Sequence, residues 1–262
     1  MNQDKTYIEF TDDFMFCEVM SRHQELCREL LERILGRPVS FAENNEQKVF
    51  RVSKDKKSIR TDIYLEGETE AYDIEMQVER NRDISKRVRY YQSAMDLDLL
   101  SKGQPYGRLK RSYIIFISPN DLFGRGLNVY TFKNLCLEDP ALELGDETTK
   151  IFLCAKGDRM SAVSKPIAGF LRYVGSGIVE DDFTAKIKTA VDMINADSDW
   201  REQHMLFTQV VEMNREEGKI IGRIQGMIDD EKSKDEILDF IIKKYRITQA
   251  DAEKYYEEAL AE

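Results

Sequence analysis

The sequence predicts a mixed α/β domain followed by a helical region. Residues 60–79, RTDIYLEGETEAYDIEMQVE, form two runs of alternating polar and apolar residues around a small turn at Gly67, the pattern of a β-hairpin. Residues 111–118, RSYIIFIS, are a short continuous apolar run bounded by charge and by Pro119, which suits a strand buried on both faces. From about Ser161 the pattern turns helical, and residues 183–262 contain neither proline nor a clear strand. These observations divide the chain into an α/β domain over 1–160 and a helical C-terminal region over 161–262, serving packing, regulation or oligomerisation.

The elements follow in order. Between Thr11 and Leu35 apolar residues recur at helical spacing, with Thr11, Asp12 and Asp13 as N-cap candidates and Gly36-Arg37-Pro38 as a stop. After the hairpin, residues 84–102 read as an amphipathic helix carrying Val88, Tyr91, Met95, Leu99 and Leu100, closed by Gly103. Residues 129–137 and 150–157 are further strand candidates. In the tail, the stripe Met205, Phe207, Val210, Val211 and Met213 reads as core packing. Gly218, Gly222 and Gly226 weaken the helix around them, so EEGKIIGRIQG reads as a connector or a partner surface.

Composition narrows the functional classes. The chain has 262 residues, 42% of them hydrophobic and 34% charged, and no apolar run near the ~20 residues that span a bilayer. The first residues lack a basic segment followed by an apolar one, so a cytoplasmic protein with no membrane partner is expected. Four cysteines without a C-x-x-C pair argue against a disulfide framework or a structural zinc. His23 and Cys27 share a helical face, but two histidines in the whole chain are too few for a nitrogen–sulfur metal centre, and buried helix residues are the better reading. Net charge is −10, yet Arg80–Arg111 holds nine basic residues against three acids, and residues 48–60 are basic too. A basic zone therefore brackets the hairpin, whose second strand places Tyr72, Ile74, Met76 and Val78 on one face and Asp73, Glu75, Gln77 and Glu79 on the other.

Two readings of that acidic face stand side by side: a solvated outer surface, or a divalent-metal site. Mg²⁺ prefers hard oxygen ligands and usually takes one or two carboxylates. Asp62 and Glu75 converge across a paired hairpin, and Gln77 points to the same side as Glu75.

The segment TDIYLEGETEAYDIEMQ resembles the active-site hairpin of PD-(D/E)XK nucleases, in the branch of recombination-promoting nucleases and transposases, where an Asp is followed on the next strand by I-E-x-Q. The matching residues are Asp62 and Ile74-Glu75-Met76-Gln77. TDDFMFCEVM resembles the opening helix of that branch, and SKRVRYYQSAM its R-x-x-Y-Y helix, at Arg87, Tyr90 and Tyr91. GQPYGRLKRSYIIFI resembles the following segment and central strand. The resemblance spans roughly residues 7–215 and implies a restriction-endonuclease-like fold, a mixed sheet flanked by helices. It also implies a Mg²⁺-dependent endonuclease, with Mn²⁺ as a substitute, that cuts double-stranded DNA with low sequence specificity and is associated with recombination or mobile elements. Asp62, Glu75 and the Met76 carbonyl would hold the metal, and Gln77 would position the attacking water. An acid of the opening helix would complete the set, Glu18 first and Asp13 as the fallback, although capping or surface roles suit both equally. Arg87, Tyr91, Arg80 and Lys86 would meet DNA, with Arg87 and Tyr91 equally suited to bracing Glu75. The chain departs from the superfamily pattern at Thr61, where many members have Pro, and at Gln77, where many have Lys; without that positive charge the metal must supply more of the stabilisation.

The competing reading is a catalytically inactive interaction protein on the same scaffold, favoured by the acidic tail, which offers a surface for a homodimer or a mask for the basic face. A phosphoesterase for small nucleotides ranks last, because the chain has no Gly-rich phosphate loop and no histidine cluster.

Overall fold

The computed structural model describes residues 7–41, 43–46, 48–50, 59–79 and 82–261. They fall into two compact units, Met1–Ala196 and Asp197–Glu262.

The first unit is built on a six-stranded sheet. Its strands are β1 (Glu43–Glu46), β4 (Ile63–Glu66), β5 (Glu70–Met76), β6 (Arg111–Ser118), β8 (Thr148–Cys154) and β7 (Val129–Phe132), in that spatial order. A separate short ribbon pairs β2 (Val49–Phe50) with β3 (Ile59–Arg60). β5, β6 and β8 run parallel to one another in the sheet's centre, while β4 pairs antiparallel with β5 and β7 with β8. The expected mixed α/β architecture is present, and the uniformly apolar run 111–118 is indeed a central strand. At the tip of the hairpin Gly67 is required, since a Cβ there would lie 2.5 Å from the Ser40 carbonyl oxygen.

Two helical layers sandwich the sheet. On one face lies α3 (Ile84–Leu99), whose Val88, Tyr91 and Met95 pack with Tyr64, Ile114, Phe116 and Phe152. The other layer contains α1 (Asp13–Arg22), α2 (Gln24–Leu35), α4 (Lys165–Ser176) and α5 (Asp182–Ala196). Asp12 caps α1 by accepting the Met15 N–H at 2.9 Å, and Gly36 closes α2 in the left-handed region at φ 68°. The single helix expected over 11–35 is two: His23 adopts φ −125°, ψ 73°, its N–H ending α1 on the Val19 carbonyl while its own carbonyl starts α2. Apolar spacing continues across the break, so periodicity alone does not reveal it.

The α/β unit continues past residue 160 because α4 and α5 pack on the opening helices. Arg33 bonds Asp181 at 2.6 Å and covers the Phe183 ring, and Asn195 clasps both main-chain polar groups of Ile8, at 3.0 and 2.9 Å. These partners are more than 140 residues apart, beyond the reach of local pattern reading.

The second unit consists of α6 (Ser198–Asp229), α7 (Lys234–Tyr245) and α8 (Gln249–Ala261). α6 runs unbroken through Gly218, Gly222 and Gly226, against the connector expectation. Ile220, Ile224 and Met227 on its inner side are buried with Ile237, Leu238 and Ile241 of α7, and this burial outweighs the helix-weakening glycines. A Cβ at any of the three glycines would meet nothing within 4 Å. Alanine at each position is therefore expected to stabilise α6 by about 0.5–1 kcal/mol, read as a shift in the unfolding midpoint followed by the fluorescence of Trp200, the chain's only tryptophan. Farther toward its N-terminus the stripe Met205, Val210, Val211 and Met213 is exposed rather than core. Among the described residues no helix is long and apolar enough to cross a membrane.

Candidate active site

Alternation along β5 puts Asp73, Glu75 and Gln77 on one side, and the sheet turns that side toward α3. Asp73 is 0% exposed and Glu75 1%. The reading of this face as a solvated surface is therefore corrected: β5 lies between β4 and β6, and α3 roofs the acids. A strand's pattern identifies its faces but not what covers them.

Asp62 and Glu75 meet where the hairpin ladder ends. The last paired residues are Ile63 and Ile74, and the next position on each strand carries a carboxylate. Glu75 Oε1 accepts the Asp62 N–H at 2.9 Å, and Asp62 Oδ2 accepts the Met76 N–H at 2.9 Å. Each carboxylate thus closes a main-chain amide of the opposite strand. Glu75 Oε2 accepts from Arg87 Nη2 at 2.7 Å, Arg87 Nη1 donates to Gln77 Oε1 at 2.7 Å, and Arg87 Nε donates to the Tyr91 hydroxyl at 3.0 Å. Gln77 Nε2 donates to the Glu79 carbonyl at 2.6 Å, which fixes its amide at both ends. Of the two readings of Arg87 and Tyr91, bracing Glu75 is the one this geometry matches.

The remaining expected site residues fall in different places. Glu18 forms an i,i+4 ion pair with Arg22. Asp13, the fallback, is the opening-helix acid whose charge acts on Asp62. Cys17 Sγ donates to the Asp62 carbonyl at 3.6 Å and ties α1 to this corner. Lys86 is exposed, 3.6 Å from Asp83. Arg80 lies outside the described residues, as does most of the basic 48–60 block; Lys48 bonds Asp98 at 2.6 Å. Buried Cys27 has its thiol pushed up to about 12 by desolvation, as an inert core residue would.

Electrostatically the corner is crowded with acid. Burial pushes Asp62 up to about 6, reinforced by Asp13 and opposed by the Met76 N–H and Arg87. Burial, then the charges of Asp73 and Asp62, raise Glu75 well above the usual range; burial, then Asp62, does the same to Asp73. Both oxygens of Asp73 are buried with no N–H or hydroxyl donor, beside the Glu75 carboxyl. Asp73 was legible as part of the alternating acidic face, but nothing in the sequence separated it from surface acids.

This donor set fits a hard divalent cation. Asp62, Asp73 and Glu75 gather beside Arg87, Arg60 also acts on Asp62, and buried Asp73 has the Glu75 carboxyl beside it but no N–H or hydroxyl donor. Mg²⁺ usually takes one or two carboxylates and keeps several waters; among the described residues no group of three acidic, histidine or cysteine side chains is placed to hold a metal ion.

A carboxyl whose pKa is higher folded than unfolded binds more protons when folded, so its contribution to stability is full below the unfolded value and is lost as pH rises through the folded one. For Asp62 that window runs from ~3.9 to about 6. Relative to wild type in EDTA, Asp62→Asn is therefore expected to gain stability across it, on the order of 2 kcal/mol, in thermal unfolding measured at several pH values. Millimolar Mn²⁺ is expected to raise the wild-type midpoint more at pH 7.5 than at pH 5.

Residues 10–137 match the family model described as PD-(D/E)XK nuclease family transposase. Over this segment the chain is similar to the PD-(D/E)XK nuclease family. The PD-(D/E)XK segment runs from the residues before α1 into the loop after β7, and includes Asp62, Glu75, Gln77, Arg87 and Tyr91. The match links this segment to nuclease- or transposase-related function. No curated protein and no solved structure matches the chain.

Proposed function

We propose that this chain is a metal-dependent DNA endonuclease that hydrolyses phosphodiester bonds of double-stranded DNA with low sequence specificity. The observation that carries the reading is the Asp62–Glu75 interlock at the open end of the hairpin, where Asp62, Asp73 and Glu75 crowd together beside Arg87. Asp62, Glu75 and the Met76 carbonyl are the residues that would hold Mg²⁺, or Mn²⁺ in its place. Such an ion polarises the phosphate and shields charge built up in the transition state. Gln77, held by Arg87 and the Glu79 carbonyl, presents a fixed amide to orient the attacking water. Arg87 keeps Glu75 and Gln77 in a common frame, and Lys86, exposed in the first turn of α3, would exchange its Asp83 partner for a phosphate. Contacts of this kind are salt-sensitive and insensitive to sequence.

One observation favours a second reading, an inactive scaffold used for interaction. Both Glu75 oxygens are already engaged, one by the Asp62 amide and one by Arg87. Nicking of supercoiled plasmid decides between the two. Conversion to open circles with Mg²⁺ or Mn²⁺, and none with EDTA, is the result expected of the nuclease; intact plasmid with either metal from pH 6 to 9 would establish the inactive scaffold.

A further inference from the structure

On the same sheet face as the carboxylates, beyond α3, lies a cavity of about 500 Å³. α3 separates the two places by its own periodicity. Arg87 and Tyr91 turn toward Glu75, whereas Ser85, Arg89, Gln92 and Asp96, at i, i+4, i+7 and i+11, line the cavity. Glu75, Phe116 and Phe152 are in register on neighbouring strands, so two strand spacings, ~10 Å, separate the acidic corner from the cavity's inner wall.

The lining is aromatic, with Arg89, Lys133 and Lys150 outnumbering Asp96 and Asp146. Phe123, Phe132 and Phe152 form a cluster, with Phe123 and Phe132 centroids 4.8 and 5.7 Å from that of Phe152, each nearly perpendicular to it. Phe132 is 44% exposed and presents an open ring. Arg89 is exposed and Lys150 half-buried beside it. The lining also carries two acids, whose charges act on Lys150: Asp96 accepts from Gln92 at 2.9 Å, and Asp146 from Asn134 at 2.6 Å. Gln92, 8% exposed, spends its amide nitrogen on Asp96 and on the Ser112 hydroxyl, leaving Oε1 buried with no partner. A buried acceptor without a donor, beside a flat apolar wall and two cations, matches a planar ring bearing N–H groups next to a phosphate.

We propose that this cavity receives an unpaired base of a DNA strand, stacked on Phe132, with the adjoining phosphate on Arg89 and Lys150. The inference rests on the DNA-binding part of the proposed function and not on cleavage. It gives the enzyme a preference for DNA whose strands are locally opened, since a paired base cannot leave its stack without cost.

Fluorescence anisotropy in EDTA tests it, using a short labelled single-stranded oligodeoxynucleotide and the same backbone with abasic sites. Wild type is expected to bind the base-bearing strand about tenfold more tightly than the abasic one. Phe132→Ala and the milder Phe132→Leu should erase that difference and leave abasic binding unchanged, with the thermal midpoint confirming that each variant is folded. Arg89→Ala should weaken both strands alike and lower the salt slope by about one. Equal affinity of wild type for the two strands, or a tenfold preference that survives in Phe132→Leu, would overturn the proposal. A deoxynucleoside monophosphate that bound as tightly as the oligonucleotide would overturn it too, reassigning the cavity to a free nucleotide. EDTA silences metal-dependent cutting, so an inactive nuclease leaves this result readable, and a failed base preference leaves plasmid nicking readable.

Discussion

Asp62→Ala and Glu75→Ala are each expected to lower metal-dependent plasmid nicking by about a thousandfold. That factor corresponds to ~4 kcal/mol of lost transition-state stabilisation, the scale of a misplaced catalytic cation. The interlock predicts different side effects for the two. Asp62→Ala removes the acceptor of the Met76 amide and also relieves acid crowding, so its net effect on stability is small. Glu75→Ala leaves Arg87 facing an empty space and unties the Asp62 amide. Asp62→Asn is the cleaner control, since its amide oxygen can still accept from Met76 while its charge is gone. Nicking that persists in both alanine variants would place the chemistry elsewhere in the preparation or in the chain.

The second large effect concerns Arg87. Arg87→Met removes the guanidinium that bonds Glu75, a carboxylate 1% exposed, and is expected to destabilise the protein by about 3 kcal/mol in urea unfolding. The arginine side chain is 31% exposed, which places the loss at the lower end for broken buried pairs, and protonation of Glu75 limits it further at low pH. The cost should therefore be larger at pH 8 than at pH 5. The double variant Arg87→Met, Glu75→Gln should recover most of it, because a neutral amide under an apolar cover no longer carries an unpaired charge. If Arg87→Met were as stable as wild type at pH 8, Arg87 would not be the brace of Glu75.

What could be read before any coordinates follows from how local each signal is. The hairpin, the central strand 111–118 and the helix after the hairpin are written in short-range alternation, and each stands where periodicity puts it. The convergence of Asp62 with Glu75 was legible for the same reason, since pairing register carries both to one spot. Tertiary burial was not. Asp73 and Glu75 are covered by residues ten or more positions away on α3, and polar letters on a strand look alike whether roofed or wet. Glycine spacing misled in α6, where contacts with α7 and α8 outweigh a weak intrinsic propensity. Asp13 and Glu18 could not be ranked from the chain, because which acid faces Asp62 depends on how α1 leans against the hairpin corner.

The reciprocal amide closures by Asp62 and Glu75 make the acidic corner a by-product of zipping the hairpin. Neither carboxylate is carried on an independent loop that could be exchanged, and the guanidinium that steadies them arrives with the next helix. Recombination between relatives, or a graft onto an unrelated scaffold, would thus have to move β4, β5 and α3 as one portable cassette, with α1 replaced by any surface that seals the same corner.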